Sequence, residues 1–139
     1  MTPEVLADLH AQAFTTSRPW SAAEFAELLA QKGTVLIGDA RCFAVIRITL
    51  DEAELLTITT APNERRQGHG RAVLAAAEAQ AASHGAAAMF LEVADDNTAA
   101  RRLYAAANFT IVGRRKGYYA RAGQQAVAAL VMRKEFPAE

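Results

Sequence analysis

The chain has 139 residues, 52% of them hydrophobic and 22% charged, with a formal net charge of zero. That size and apolar content fit one self-folding domain over 1–139 and exclude a disordered chain, while the lack of any run of about 18 apolar residues excludes a membrane-spanning helix. The neutral total is uneven: residues 1–60 carry four Lys/Arg against eight Asp/Glu, and residues 61–139 carry eleven against seven. The second half therefore suits a small polyanion.

The start, Met1-Thr2-Pro3-Glu4, lacks the basic and apolar regions of a signal peptide. Residues 3–15 read as a helix, with Thr2 as N-cap and Pro3 in the first helical position. A second helix starts at Ser21, where Ser21 and Glu24 form a capping box and Trp20 with Phe25 a hydrophobic staple. Strands are predicted over about 34–39, 41–50 and 53–60, with turns at Gly38-Asp39 and Asp51-Glu52. Cys42, in the second of them, is the single cysteine. It can form no internal disulfide, so a reducing, cytoplasmic setting and a buried core role are expected.

A helix is predicted from Gly68 to about His84, closed by Gly85. A strand over about 87–94 and a helix over about 97–107 follow. Two last strands, about 109–115 and 127–135, flank a loop with Gly117, Gly123, Gln124 and Gln125. The order α-α-β-β-β-α-β-α-β-β argues a mixed α/β sheet with helices on its faces.

The stretch Leu55 to Arg71, LLTITTAPNERRQGHGR, carries the most chemistry. A strand ends near Thr60, a turn holds Arg65 and Arg66, and Gln67-Gly68-His69-Gly70 opens a helix. A helix N-terminus exposes unpaired N–H groups and partial positive charge, and glycines let phosphate oxygens approach closely. The first acid inside this helix is Glu78, so its positive end is uncomplemented. This is a cradle for a diphosphate. It is not a Walker loop, because Arg71-Ala72 stands where Lys-Ser/Thr is needed. Nor is it a dinucleotide fingerprint, because Val73 replaces the third small residue.

The pattern Arg65-x-x-Gly68-x-Gly70 after a strand resembles motif A of the GCN5-related N-acetyltransferases. Further matches are Pro19-Trp20-Ser21, RRQGHGR at 65–71, Phe90-Leu91-Glu92-Val93, Asn97-x-x-Ala100-x-x-Leu103-Tyr104, Asn108-Phe109, Arg114-Arg115, Gly117-Tyr118-Tyr119 and Leu130-Val131-Met132. They resemble the bacterial ribosomal-protein-alanine N-acetyltransferases within that superfamily. The resemblance implies a single-domain fold of that family, with a mixed, mostly antiparallel sheet and helices on both faces. Its usual first strand is expected to be missing or very short, since the chain opens on a helix. It implies acetyl-CoA as cosubstrate and coenzyme A as product. Backbone groups of Ile58, Thr59 and Thr60 would bind the pantetheine arm. Arg65, Arg66, Gln67, Gly68, His69, Gly70 and Arg71 would hold the diphosphate, and Asn97 would touch the coenzyme. Glu92 looks like the general base. Tyr104, placed at the coenzyme, looks like the general acid. The implied acceptor is a protein N-terminus, the alanine of a small-subunit ribosomal protein. No nucleic acid, membrane or metal is implied, and a monomer or weak dimer is expected.

The residues agree with these roles on their own chemistry. Alternation puts Phe90, Glu92 and Ala94 on one strand face and Met89, Leu91 and Val93 on the other, so Glu92 is expected in apolar, desolvating surroundings. Asn97, Ala100 and Tyr104 fall on one helix stripe, while Arg101 and Arg102 face elsewhere and are expected in solvent. An α-amine titrates near 7.7–8.0 and lysine near 10.4, so a lysine costs roughly 3–4 kcal/mol more to deprotonate at neutral pH. One carboxylate therefore suffices for an N-terminus. The histidines His10, His69 and His84 show no metal-ligand spacing. Ala126-Val127-Ala128-Ala129 stands where the resembled enzymes carry acids, so acidic recognition would fall to Glu24, Glu27 or Asp51. Two other readings stay open: acetylation of a small amine or amino acid, and a non-catalytic acyl-CoA-binding sensor.

Overall fold

The structure is a computed structural model that describes residues 1–14, 18–121 and 123–137. Thr2 accepts a hydrogen bond from the Val5 N–H at 3.2 Å, and Pro3 starts α1 (Pro3–Ala13); residue 15, the last of the expected helix, lies outside the described residues. The capping box forms as expected at the head of α2 (Ala22–Ala30), and the Trp20 and Phe25 rings meet at 5.3 Å to make the staple. β1 (Thr34–Gly38), β2 (Cys42–Thr49) and β3 (Glu52–Thr60) form an antiparallel meander. A single 3-10 turn at Pro62–Glu64 leads into α3 (His69–Ser83), which ends at Gly85 with φ 92°, a value glycine adopts without strain. β4 (Ala88–Ala94), α4 (Thr98–Ala106), β5 (Thr110–Arg121) and β6 (Gln124–Glu135) complete the chain.

The six strands lie in the order β1-β2-β3-β4-β6-β5, antiparallel except for β3 beside β4. The parallel pair is joined through α3, as a parallel connection requires. On one face α3 and α4 cover Ala44, Ile46, Leu55, Met89, Leu91 and Val93. On the other, Leu6 of α1 and Phe25 of α2 cover Phe43 and Val45. α3 meets the sheet through Leu74, Ala77 and Ala81. The alanines keep the helix close, and Leu74 fills the space they leave. Leu74 is 1% exposed. Leu74→Ala is expected to lose about 2–4 kcal/mol, read as a lower denaturant midpoint at unchanged m-value. Among the described residues, no helix is long and apolar enough to cross a membrane.

One sequence expectation is corrected. The loop placed around Gly117, Gly123, Gln124 and Gln125 is a long hairpin, because β5 and β6 run on to Arg121↔Gln124. Between Arg115↔Ala129 and Tyr119↔Val127, β5 spends more residues than β6. Gly117, at φ 61°, sits inside that bulge and not in a turn.

Candidate active site

The site begins with a failure of strand pairing. β3 and β4 pair from Glu52↔Ala88 only to Leu55↔Leu91. Beyond that point β3 stays on β2 as far as Thr60↔Cys42, and β4 stays on β6 as far as Ala94↔Ala129. A bulge at Leu56, where Val45↔Thr57 follows Ile46↔Leu55, starts the divergence. The two strands thus splay apart. Every second residue of 56–60 turns its N–H and C=O to the gap, and 92–94 does the same from the other side. Ile58, Thr59 and Thr60 lie on β3 in the stretch that pairs with β2 and not with β4. The Thr60 hydroxyl is held against the buried Cys42 thiol at 3.3 Å, and Thr57 Oγ1 meets Thr59 Oγ1 at 3.2 Å.

The turn after Thr60 brings the α3 N-terminus to the open end of this gap. Gly68 caps it at φ 80°, ψ 7°, and the first turn of α3 has no acid. A Cβ placed on Gly68 would meet no atom within 4 Å, so the space over the bare amides is clear. A Cβ on Gly70 would lie 3.5 Å from Leu103 of α4 and 4.0 Å from Thr60 Oγ1. The helix start, the end of β3 and α4 therefore converge. The side chains around the turn divide their tasks. Arg65 donates to the Ala13 carbonyl at 3.3 Å and ties the turn to α1. Gln67 donates to Asn63 O at 3.4 Å. His69 turns its imidazole to Glu64, with Nε2 3.3 Å from Oε2, shielded from solvent and off hydrogen-bonding direction. Arg66, at φ 64°, and Arg71 are exposed cations beside the amides.

Tyr104 is 6% exposed, packs edge-on to Phe109 at 6.0 Å, and is pushed well above the ordinary phenol range by burial, with a smaller push from Tyr119. Burial keeps the phenol protonated. Asn97 caps α4, its Oδ1 accepting from the Ala100 N–H at 3.2 Å, which leaves its amide N–H₂ for a ligand. Glu92 lies on the α1/α2 face, since its neighbours Leu91 and Val93 belong to the α3/α4 core. The expected desolvation is corrected: its side chain is 29% exposed, and Arg115 Nη2 sits 3.1 Å from Oε1. The strand alternates, but it ends at the gap, where apolar cover stops. Arg102 is exposed, and the Arg101 side chain is 40% exposed, as expected; Arg101 also binds Asp95 at 3.0 Å, and Arg114 binds the other oxygen of Asp95 at 3.1 Å.

Arg115 was legible only as half of an Arg-Arg pair, and its contact with Glu92 is a cross-strand fact. A pocket of about 270 Å³ beside the bulge was also missed; Trp20, Glu27, Leu28, Gln31 and Leu56 help to line it. Of the three acids considered for recognition, Glu24 is taken by Arg18 at 2.7 Å and by the cap, and Asp51 sits in the β2–β3 turn. Glu24 and Glu27 both line the pocket, and so does Arg47, which holds Glu54 at 2.8 Å. Among the described residues there is no group of three metal-ligating side chains.

A family profile, "Acetyltransferase (GNAT) family", matches residues 4–109. The chain is 32% identical over 122 residues to the [Ribosomal protein bS18]-alanine N-acetyltransferase of Escherichia coli (strain K12), covering 85% of this chain and 82% of that protein. It is 34% identical over 129 residues to the N-alpha-acetyltransferase RimI of Mycobacterium tuberculosis (strain ATCC 25618 / H37Rv), covering 86% of this chain and 80% of that protein. The crystal structure of the ribosomal-protein-S18-alanine N-acetyltransferase from Escherichia coli superposes with a TM-score of 0.88 at 27% identity, over 99% of this chain and 89% of that one. The splayed strands and the acid-free helix start thus occur in a chain with the sequence and the sheet of known acetyl-transferring enzymes, and the protein belongs to the GNAT acetyltransferase family.

Proposed function

We propose that the chain transfers acetyl from acetyl-CoA to the α-amine of a protein N-terminus, the alanine of a small-subunit ribosomal protein. The observation that carries this reading is the gap past Leu55/Leu91 with the bare α3 N-terminus at its mouth. A diphosphate on the amides of 68–71 directs the rest of a coenzyme along the backbone of 58–60. Arg66 and Arg71 add charge to that grip, and the amide of Asn97 meets the arm from α4. The α3/α4 face is then occupied, so the amine must arrive from the face that carries Glu92.

The reaction needs few parts. The α-amine, already largely neutral at about pH 8, attacks the thioester carbon, and the proton it sheds as the C–N bond forms passes to Glu92, directly or through water. The C–N bond forms as the C–S bond breaks, and the electron pair leaves on sulfur. A backbone N–H near Ile58 faces the carbonyl oxygen as charge gathers there. Tyr104 O–H protonates the departing thiolate. Glu27 supports a protein acceptor, because an N-terminal segment on this face passes its carboxylate. A small amine would leave the pocket unfilled.

Thiol release measured with an alanine-starting peptide and with a panel of small amines tests the reading. Turnover with the peptide supports it. Turnover with small amines alone supports the small-molecule reading, and coenzyme binding without turnover supports the sensor. Tyr104→Phe is expected to lower kcat about ten-fold at unchanged acetyl-CoA KM, below the usual range for a general acid, since a thiolate of pKa about 8.5 leaves with little help.

A further inference from the structure

His10 is the one histidine buried among the described residues, at 4% exposure, and the reaction above does not use it. It stacks on Phe14 at 4.3 Å and on Trp20 at 5.0 Å and meets the edge of Phe25 at 5.6 Å. Its Nδ1 accepts the backbone N–H of Trp20 at 3.1 Å. A ring that accepts at Nδ1 carries its proton at Nε2. Burial lowers its pKa to about 4 against an opposing pull from Glu24, so the ring is neutral and free to accept in the working range of the enzyme.

An apolar core residue would satisfy the space but not the bond. Without Nδ1 the Trp20 amide would be left half-buried and unpaired, at the point where the chain enters the α2 cap. Trp20 is a wall of the pocket that also carries Glu27, Leu28, Gln31 and Leu56. Leu56 is the bulge residue at which the β3/β4 gap opens. His10 thus acts on the pocket through Trp20 and does not line it.

We propose that His10 is a positioning residue for the acceptor: it fixes the Trp20 wall of the pocket that seats the residues following the acceptor amine. This rests on the reading that a peptide N-terminus enters from the α1/α2 face.

Trp20 is the only tryptophan in the chain, so its emission reports on this wall alone. The test titrates a short alanine-starting peptide into wild type and into His10→Phe, His10→Asn and His10→Gln, and also measures steady-state kinetics. Phenylalanine keeps the stack and loses the acceptor. Asparagine puts a carbonyl oxygen near the place of Nδ1, and glutamine carries it past that point. In His10→Phe and His10→Gln, the emission midpoint and the peptide KM are expected to rise about five- to ten-fold, the size of one lost hydrogen bond. The acetyl-CoA KM and kcat should stay within about two-fold, and His10→Asn should restore the peptide KM. An unchanged midpoint in His10→Phe and His10→Gln overturns the proposal. So does a loss shared equally by kcat and both KM values, which marks a merely structural role. If His10→Phe does not fold, the contrast between the two amides decides alone. If wild type itself binds acetyl-CoA but shows neither turnover nor an emission change with the peptide, the acceptor reading fails and this proposal falls with it.

Discussion

Gly68→Asp is expected to abolish coenzyme A binding while the protein stays folded. Gly68 holds φ 80° at the head of α3, and the space where a Cβ would stand is empty to 4 Å. The first carbon of a side chain there meets no protein atom. Its cost to the fold is the left-handed backbone, about 1 kcal/mol for a residue other than glycine. An acidic group is itself favourable at a helix N-terminus, which offsets part of that cost. The ligand bears the rest. A carboxylate about 4 Å from one phosphate charge, at an effective dielectric of about 20, opposes binding by roughly 4 kcal/mol, near a thousand-fold. It also competes for the amides the phosphates need. Calorimetric titration should show no heat at concentrations that saturate wild type. Gly68→Ala carries the backbone strain without the charge and should weaken binding only several-fold. Full affinity in Gly68→Asp would remove the diphosphate from this turn, and equal loss in both variants would assign the effect to strain.

The parts of the fold legible in sequence are those decided locally. Thr2-Pro3, the Ser21/Glu24 box and Gly85 each satisfy or release backbone groups of their own helix, so their residue types announce the boundary. The glycine-capped, acid-free start of α3 was legible for the same reason, since glycines and missing acids are read along one short stretch. What stayed hidden depends on partners distant in sequence. Gly117 looks like a turn residue until the β5/β6 register shows a bulge. Glu92 looks desolvated from its strand, and only the neighbouring hairpin brings Arg115 to 3.1 Å. The gap itself has no sequence signal. It exists because β3 follows β2 and β4 follows β6 after Leu55/Leu91, and the bulge at Leu56 that starts it replaces no turn-forming residue. The pocket under Trp20 likewise needs α2 laid over the sheet before its residues meet Arg47 of β2 and Leu56 of β3.

Glu92→Gln is expected to lower kcat by about a hundred-fold, the lower end of what a positioned base supplies, with acetyl-CoA affinity within about two-fold of wild type. Two roles compete for this side chain. As a base it must take the amine's proton. As a structural anion it would only hold Arg115 of β5 against β4. The geometry admits both, because Glu92 pairs with Arg115 at 3.1 Å and its side chain is still 29% exposed. Arg115→Met separates them. It breaks the same ion pair and leaves the carboxylate, so a structural role predicts similar losses in the two variants. Partly exposed pairs of this kind are worth under about 1 kcal/mol, so that common loss would be less than about five-fold. A base predicts that Glu92→Gln falls far below Arg115→Met. The pH profile adds an independent readout. With the base gone, the rate should depend on the neutral fraction of the acceptor amine alone and climb through about pH 8, where an α-amine titrates. A Glu92→Gln rate equal to wild type from pH 6 to 9 would take the proton transfer away from Glu92, and the proton shed as the C–N bond forms would have to pass to solvent.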